Sequence, residues 1–144
     1  AIACDMRIAT KDTKYGIPAA KLGLAYGFDN LRQLVELVGP SNAKRILFTG
    51  DLIDADDAHR IGLVDELCAL DELEDKVLSI ADKISANAPL TVLASKETVK
   101  HVLRPEIRDH QKLKEMAKIC FDSDDYREGR EAFMEKRKPE FKGR

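Results

Sequence analysis

The chain has 144 residues, of which 44% are hydrophobic and 35% are charged, and its net charge at pH 7 is −2. This length and apolar content are sufficient for one domain with a hydrophobic core. The pI of about 6.0 and the nearly balanced charge give no general reason to expect nucleic-acid or membrane-surface binding. Because every apolar run is short and interrupted by charge, no segment is expected to cross a bilayer.

The cysteines and the first residues bear on the origin of the chain. Cys4, Cys68 and Cys120 lack the paired spacing of a zinc site or a disulfide framework, so we interpret them as ordinary thiols, and no metal site is expected. Reduced thiols and the lack of a recognisable targeting signal favour the cytoplasm, or the mitochondrial matrix if a presequence was removed. The chain begins with AIACDMRIAT and no initiating Met. We therefore expect it to be the later part of a longer protein.

The first third of the chain is predicted to be rich in strands. Residues 6–10 and 13–17 each have the composition of a short strand. A loop punctuated by glycine and proline follows, with the sequence YGIPAAKLGLAYGFDN over residues 15–30. Because alanine stands at both positions after Pro18, this loop has no carboxylate next to its proline.

Short helices with recognisable caps are predicted next. Asp29 or Asn30 is a suitable N-cap for the helix LRQLVELV, which the Gly39-Pro40 pair should end. Ser41 is predicted to cap the helix NAKRILFT, and Asp54 the helix ADDAHRI. The segment GLVDELC is predicted to be a strand that leads into the second part of the chain.

The second part of the chain is predicted to consist of amphipathic helices. They are expected over about residues 70–87, 89–104, 107–120 and 123–136. Pro89 fits the first turn of the second helix, and Ser123 fits the cap of the last one. Apolar residues recur at helical spacing, so each helix should turn one face inward. On the second helix this face comprises Leu90, Leu93, Ala94 and Val99.

A series of segments runs along the whole chain in a recognisable order. They are ACDMRIAT, YGIPAAKLGL, LFTGDLIDADDAHRIGLVDEL, APLTVLASK and SDDYREGREAFMEKRKPEFKGR. The series resembles the enoyl-CoA hydratase/isomerase family, also called the crotonase superfamily. The resemblance implies an α/β fold, with the C-terminal part of a crotonase-like ββα superhelix over residues 1–67. A helical trimerisation region, ending in a basic tail that contacts coenzyme A, is implied over residues 68–144.

The same resemblance implies the ligand and the assembly. The expected partner is an acyl-CoA thioester, with coenzyme A as part of the substrate and no separate cofactor. The expected assembly is a homo-oligomer, either a trimer or a hexamer, without nucleic acid or membrane. Family members polarise the thioester carbonyl with two backbone N–H groups, an arrangement called an oxyanion hole. The resemblance assigns both donors to positions before Ala1, so the chain alone is expected to be inactive.

Ala19 departs from the family's pattern for hydration. Family hydratases use two glutamates around a water molecule, and the resemblance assigns one of them to a helix before Ala1. The other ordinarily follows the proline of the loop, where this chain has Ala19. An alanine methyl can neither hold a proton nor orient water, so two-carboxylate hydration is not expected from these residues.

Two interpretations of Ala19 stay open. The protein could carry out other crotonase chemistry, such as one-base isomerisation, decarboxylation or thioester hydrolysis. Asp29 is then the nearest candidate acid or base, although its spacing favours the helix cap. Alternatively, the protein is a catalytically degenerate member that binds acyl-CoA or serves as an oligomer partner.

The loop also supplies the candidate substrate-binding residues, which are Pro18, Ala19, Gly23, Tyr26 and Gly27. Glycine allows positive φ or a close approach to a ligand, and in the family this turn borders the acyl pocket. Tyr26 could line that pocket or simply pack against other residues. Pro18 fixes the path of the backbone.

The basic tail, residues 136–144, contains the candidate coenzyme A contacts. Its lysines and arginines cluster around Phe141, and such a combination suits phosphate and adenine. Phe141 and Lys142 match the family's positions for contact with the nucleotide part of coenzyme A. Alternatively, the tail is a solvated cationic segment near the negative pole of its own helix. A helical interaction domain without a ligand is a third hypothesis, which the loop glycines and KRKPEFKG disfavour.

Overall fold

The computed structural model describes all 144 residues, which form seven α-helices, two strands and two 3-10 turns. The strands are β1 (Ile8–Thr10) and β2 (Glu66–Cys68), and the 3-10 turns are Leu70–Glu72 and Pro105–Ile107. The helices are α1 (Ala19–Leu22), α2 (Phe28–Thr49), α3 (Ala55–Arg60), α4 (Leu73–Ser85), α5 (Pro89–Leu103), α6 (His110–Asp122) and α7 (Asp124–Glu135). The chain divides into two units, residues 1–77 and 78–144.

The sheet of the first unit consists of β1 and β2 alone. The two strands are parallel, with Ile8 opposite Glu66 and Thr10 opposite Cys68, and both were predicted from the sequence. The strand predicted over residues 13–17 was wrong, because Tyr15 forms only an isolated antiparallel bridge with Ile53. Pro18 follows soon after and has no amide hydrogen with which to continue a ladder.

The core of the first unit lies under α2 and α3. The buried apolar cluster comprises Leu34, Val38, Ala43, Ile46, Ile53, Ala58, Ile61, Leu63 and Val64. Asp54 caps α3, as predicted, and its carboxylate accepts the Asp57 N–H at 2.8 Å.

Two details of α2 differ from the prediction. Its N-cap is Gly27, so Asp29 lies inside the first turn and the cap predicted at Asp29 or Asn30 was wrong. A kink at Gly39, with φ 73° and ψ 164°, divides α2 where its end was predicted. Since Pro40 is already helical after this kink, Ser41 lies inside the helix and is not the cap that was expected.

The helices of the second part agree with the prediction in position but not in burial. Ser123 caps α7 and accepts the Tyr126 N–H at 3.0 Å, as expected. The inward face predicted for α5 was wrong, since more than half the surface of Leu93 and Val99 is exposed. No residue of α4 or α6 is buried. The apolar faces of these helices are only partly covered, with Leu90, Leu113 and Met116 half-buried. None of the helices has the length and apolar character needed to span a membrane.

Candidate functional site

The loop of residues 15–30 is organised by the short helix α1. The Pro18 carbonyl accepts the Lys21 N–H at 3.0 Å and starts the helix. Gly23 ends it in the left-handed conformation, with φ 66°, which side chains with a Cβ disfavour. The Ala19 carbonyl accepts the Leu24 N–H at 3.1 Å beyond this turn. The backbone of the loop is therefore fixed by its own hydrogen bonds.

Ala19 is buried within this loop. Only 6% of its surface is exposed, whereas the neighbouring Ala20 is exposed. A buried methyl group offers no proton donor or acceptor, so the loop provides no acid or base at this position.

The glycines and tyrosine of the loop lie at its surface. At both Gly23 and Gly27, a Cβ atom would have no neighbouring atom within 4 Å. Tyr26, between them, is 45% exposed. The turn thus has open space beside its backbone, as contact with a ligand would require, and the predicted substrate-binding role of these residues stays a prediction.

Asp29 lies on the solvent side of α2. Its carboxylate side chain is 86% exposed and lies 3.4 Å from the Arg32 guanidinium. Arg32 in turn lies over the ring of Phe28, 5.7 Å from its centroid. An exposed, ion-paired carboxylate in a first turn stabilises the helix dipole, and the structure does not bring Asp29 into an enclosed site.

Lys21 and Asp51 form a contact that the sequence did not point out. The Lys21 ammonium donates to Asp51 Oδ1 at 2.6 Å. The Lys21 stem lies so close to Gly50 that a Cβ there would be 3.2 Å from it. This contact joins α1 to the turn after α2, and both charges occur in the quoted segments YGIPAAKLGL and LFTGD. Their charges were visible in the sequence, but their proximity was not.

The first unit also contains an apolar cavity of about 380 Å³. Its lining includes Ile8, Tyr15, Ile17, Leu34, Ile46 and Val64. None of the five residues predicted to bind substrate is part of this lining. The one lining guanidinium belongs to Arg7, and it is already bound to the Leu63 carbonyl and to Asp65. The cavity can hold an apolar group, but its lining carries no carboxylate or histidine for proton transfer.

The basic tail of the second unit folds back along α7. Lys136 ends the helix with φ 55°, and the Arg137 guanidinium then donates to Glu128 Oε2 at 2.9 Å. Glu128 also accepts the Glu140 N–H at 2.9 Å. These donors lower the pKa of Glu128 from its ordinary 4.5 to about 2. The backbone of the tail is therefore held against α7 by hydrogen bonds, while the side chains of Lys138 and Lys142 are exposed to solvent.

Phe141 and Lys142, the predicted coenzyme A contacts, are part of this ordered tail. Phe141 is half-buried, and its ring lies 3.4 Å from where a Cβ would be placed on Gly129. The Lys142 side chain is exposed, while its backbone N–H donates to Asp125 Oδ1 at 2.6 Å. The tail thus presents an aromatic ring and an ammonium group from a fixed backbone. No cluster of His, Cys, Asp or Glu in the chain could hold a metal ion.

The whole chain matches one protein family. The family model described as enoyl-CoA hydratase/isomerase matches residues 1–144. The chain therefore belongs to the enoyl-CoA hydratase/isomerase family. This finding confirms the resemblance inferred from the sequence segments.

Two curated relatives and one solved structure illustrate the similarity. Crotonyl-CoA hydratase from Syntrophomonas wolfei is 39% identical over 98% of this chain and 55% of its own length. Methylmalonyl-CoA decarboxylase from Escherichia coli is 31% identical over 96% of this chain and 54% of its own length. The crystal structure of enoyl-CoA hydratase from Mycobacterium tuberculosis matches 100% of this chain and 57% of that one, with a TM-score of 0.86 and 34% identity.

These matches define the fold and the extent of the chain. Its fold is that of crotonase-family proteins, as the sequence segments predicted. The chain has only two short strands, so the expectation of a first third rich in strands was wrong. The chain spans about half the length of the curated relatives it matches. That coverage is what is expected of the C-terminal portion of the family chain.

Proposed function

We propose that this chain is part of an acyl-CoA-binding enzyme that stabilises a thioester enolate with an oxyanion hole. The observation that carries the proposal is the family match over residues 1–144. In this proposal the two backbone donors of the oxyanion hole belong to the part of the family chain that precedes these residues. Backbone donors fixed around a developing negative charge contribute several kcal/mol to catalysis, because they need no reorganisation as the charge forms.

The residues of this chain are proposed to bind the substrate. Pro18, Ala19, Gly23, Tyr26 and Gly27 would border the acyl group, where open space lies beside both glycines. In the second unit, Phe141 would contact the adenine and Lys142 a phosphate of coenzyme A. An exposed ammonium and a half-buried ring suit these two groups, since an ammonium attracts phosphate and a ring offers a stacking face.

The absence of a carboxylate at position 19 bears on the type of reaction that this protein would catalyse. The names of the two relatives include a hydratase and a decarboxylase, and both act on CoA thioesters. Decarboxylation, one-base isomerisation and thioester hydrolysis each need fewer carboxylates than two-glutamate hydration. Without a carboxylate at position 19, these reactions are the proposed alternatives to hydration.

A second candidate function is a catalytically degenerate protein that binds acyl-CoA or serves as an oligomer partner. Ala19 is the observation that favours it, because a buried methyl stands where the family has a glutamate. The enzyme and the acyl-CoA-binding form of this second candidate share ligand binding and differ in turnover, whereas an oligomer partner requires neither.

Calorimetry with coenzyme A and turnover assays with crotonyl-CoA and methylmalonyl-CoA test the proposal on the intact protein. Binding with turnover of either thioester supports the enzyme, and binding with turnover of neither supports the degenerate member.

We expect Lys142→Ala to weaken coenzyme A binding about tenfold, as is typical for a lost charge-assisted contact. Lys114→Ala, at an exposed position of α6 outside the tail, is the matched control and should leave binding unchanged. Failure of the unsubstituted protein to bind coenzyme A would contradict the enzyme and the acyl-CoA-binding form of the second candidate, and would leave the oligomer partner.

A further inference from the structure

Asp125 is a buried carboxylate that binds the backbone of the tail. Only 3% of its surface is exposed. Its Oδ1 accepts the Lys142 N–H at 2.6 Å, and its Oδ2 accepts the Gly143 N–H at 2.8 Å. The Asp125 N–H donates to the Arg144 carbonyl at 3.2 Å. Three hydrogen bonds therefore connect one residue of α7 to three consecutive residues of the tail.

Glu128 lies one helical turn further along α7 and binds the preceding part of the tail. Residues three apart on a helix lie on the same face, so both carboxylates face the tail. Glu128 accepts the Arg137 guanidinium and the Glu140 N–H. Phe141 lies between the segments bound by the two carboxylates, and its ring lies 3.4 Å from where a Cβ would be placed on Gly129.

Asp125 binds backbone N–H groups of the tail and not the Lys142 ammonium. A buried carboxylate is costly unless hydrogen bonds satisfy it, and Asp125 is satisfied by backbone amides. The ammonium of Lys142 makes no ion pair with Asp125, and its side chain stays exposed. The backbone of Lys142 is thus fixed while its positive charge remains available to a phosphate. Fixing a binding group before the ligand arrives lowers the entropy lost on binding.

We propose that Asp125 and Glu128 are positioning residues for coenzyme A, which they orient without contacting the ligand. They do so by holding the backbone of Glu140 before Phe141 and the backbones of Lys142 and Gly143 after it. The proposal rests on the proposed function, because it requires that Phe141 and Lys142 contact coenzyme A. It adds two residues of α7 to the binding of the nucleotide part of the ligand.

Calorimetry with coenzyme A on variants of the intact protein tests this role. Asp125→Asn keeps the side-chain size but removes the charge, and we expect about tenfold weaker binding, or about 1.4 kcal/mol. If Asp125 acts through Lys142, the double variant Asp125→Asn/Lys142→Ala should bind no more weakly than Lys142→Ala alone. Asp122→Asn is the matched control, since Asp122 is exposed at the end of α6 and pairs with Lys118, and it should leave binding unchanged.

Amide hydrogen exchange provides a second measurement that does not depend on the ligand. Asp125→Asn should accelerate exchange at the Lys142 and Gly143 amides, which the carboxylate binds. Faster exchange with unchanged affinity for coenzyme A would overturn the positioning role and leave the proposed function intact. Affinity losses that add in the double variant would also overturn it, since the two residues would then act independently.

Two further outcomes are a variant that does not fold and an unsubstituted protein that does not bind coenzyme A. If thermal melting shows that Asp125→Asn does not fold, Glu128→Gln takes its place, because Glu128 is less buried. In that variant, a tenfold loss that disappears in the background of Lys142→Ala supports the proposal, and unchanged affinity contradicts it. If the unsubstituted protein does not bind coenzyme A, the proposed function fails and the positioning role fails with it.

Discussion

Ala19 is a buried methyl group at the position where the resemblance to the family implies a glutamate. Substituting Ala19→Glu would place a carboxylate in this buried position without an evident partner. We expect the free energy of unfolding to fall by about 2–4 kcal/mol, because an unpaired buried charge is costly. Ala20→Glu, at the adjacent exposed position, should change it by less than about 0.5 kcal/mol. Urea unfolding of both variants measures the difference, and equal stabilities would show that position 19 is open to solvent.

Glu128 makes the docking of the tail dependent on pH. Arg137 and the Glu140 N–H lower the pKa of Glu128 from 4.5 to about 2 in the folded protein. A lowered carboxyl pKa contributes stability that is fully present above the unfolded value and is lost as the pH falls through the folded value. The contribution should therefore be present at neutral pH and disappear between about pH 4.5 and pH 2.

The comparison of the unsubstituted protein with Glu128→Gln isolates this contribution from other carboxylates. The variant should be less stable at pH 7, and the difference in melting temperature should shrink as the pH falls below about 4.5. Circular dichroism melting at a series of pH values measures it. A difference in melting temperature that stays constant down to pH 2 would contradict the assigned cause of the shift.

At the scale of the elements, α2 depends on the glycine at its kink. Gly39 has φ 73° and ψ 164°, a conformation that is essentially restricted to glycine and costs other residues about 1–3 kcal/mol. We expect Gly39→Ala to lower the free energy of unfolding by that amount, although no atom would contact the added Cβ within 4 Å. Ser41→Ala, in the same segment, should cost less than about 0.5 kcal/mol, since Ser41 is exposed and is not the cap. If Ser41→Ala proved the more costly of the two, the conclusion that Ser41 does not cap the helix after the kink would be wrong.

The elements that were predictable are those fixed by local chemistry. The caps at Asp54 and Ser123 follow from side chains that act within a few residues. The Gly39-Pro40 pair marked the position of the break in α2, although the helix continues beyond it. The strand expected over residues 13–17 failed, because a strand requires a partner, and Tyr15 meets only Ile53. Such pairing depends on residues distant in sequence, which periodicity does not report.

The candidate site was likewise predictable only in the features that depend on local sequence. The basic composition of the tail and the glycines of the loop were evident from the sequence. The hydrogen bonds from Lys142 and Gly143 to Asp125 were not, since they join residues 17 and 18 positions apart. From the sequence, the residues around Asp125 are recognisable only as the capped start of α7. A residue that satisfies one local role can hold a distant segment as well, and only the fold reveals the second role.

At the scale of the whole molecule, the chain leaves apolar surface and sheet edges uncovered. The sheet has two strands, fewer than an independently stable sheet usually requires. On α7, Phe133 and Met134 are 82% and 80% exposed, and large exposed apolar residues often mark interaction surfaces. These features suit the homo-oligomer proposed for the family chain, in which other protein would cover the exposed residues.

We therefore expect the intact protein to sediment as a trimer or a hexamer at micromolar concentration. Phe133→Ser should shift the equilibrium towards smaller species, because it removes apolar area that association would bury. Glu131→Ser, at another exposed position of α7, is the matched control and should leave the distribution unchanged. Sedimentation velocity across a range of concentrations measures both variants. A monomer at every concentration would contradict the proposed assembly, and equal effects of the two substitutions would show that the Phe133 side chain lies outside the interface.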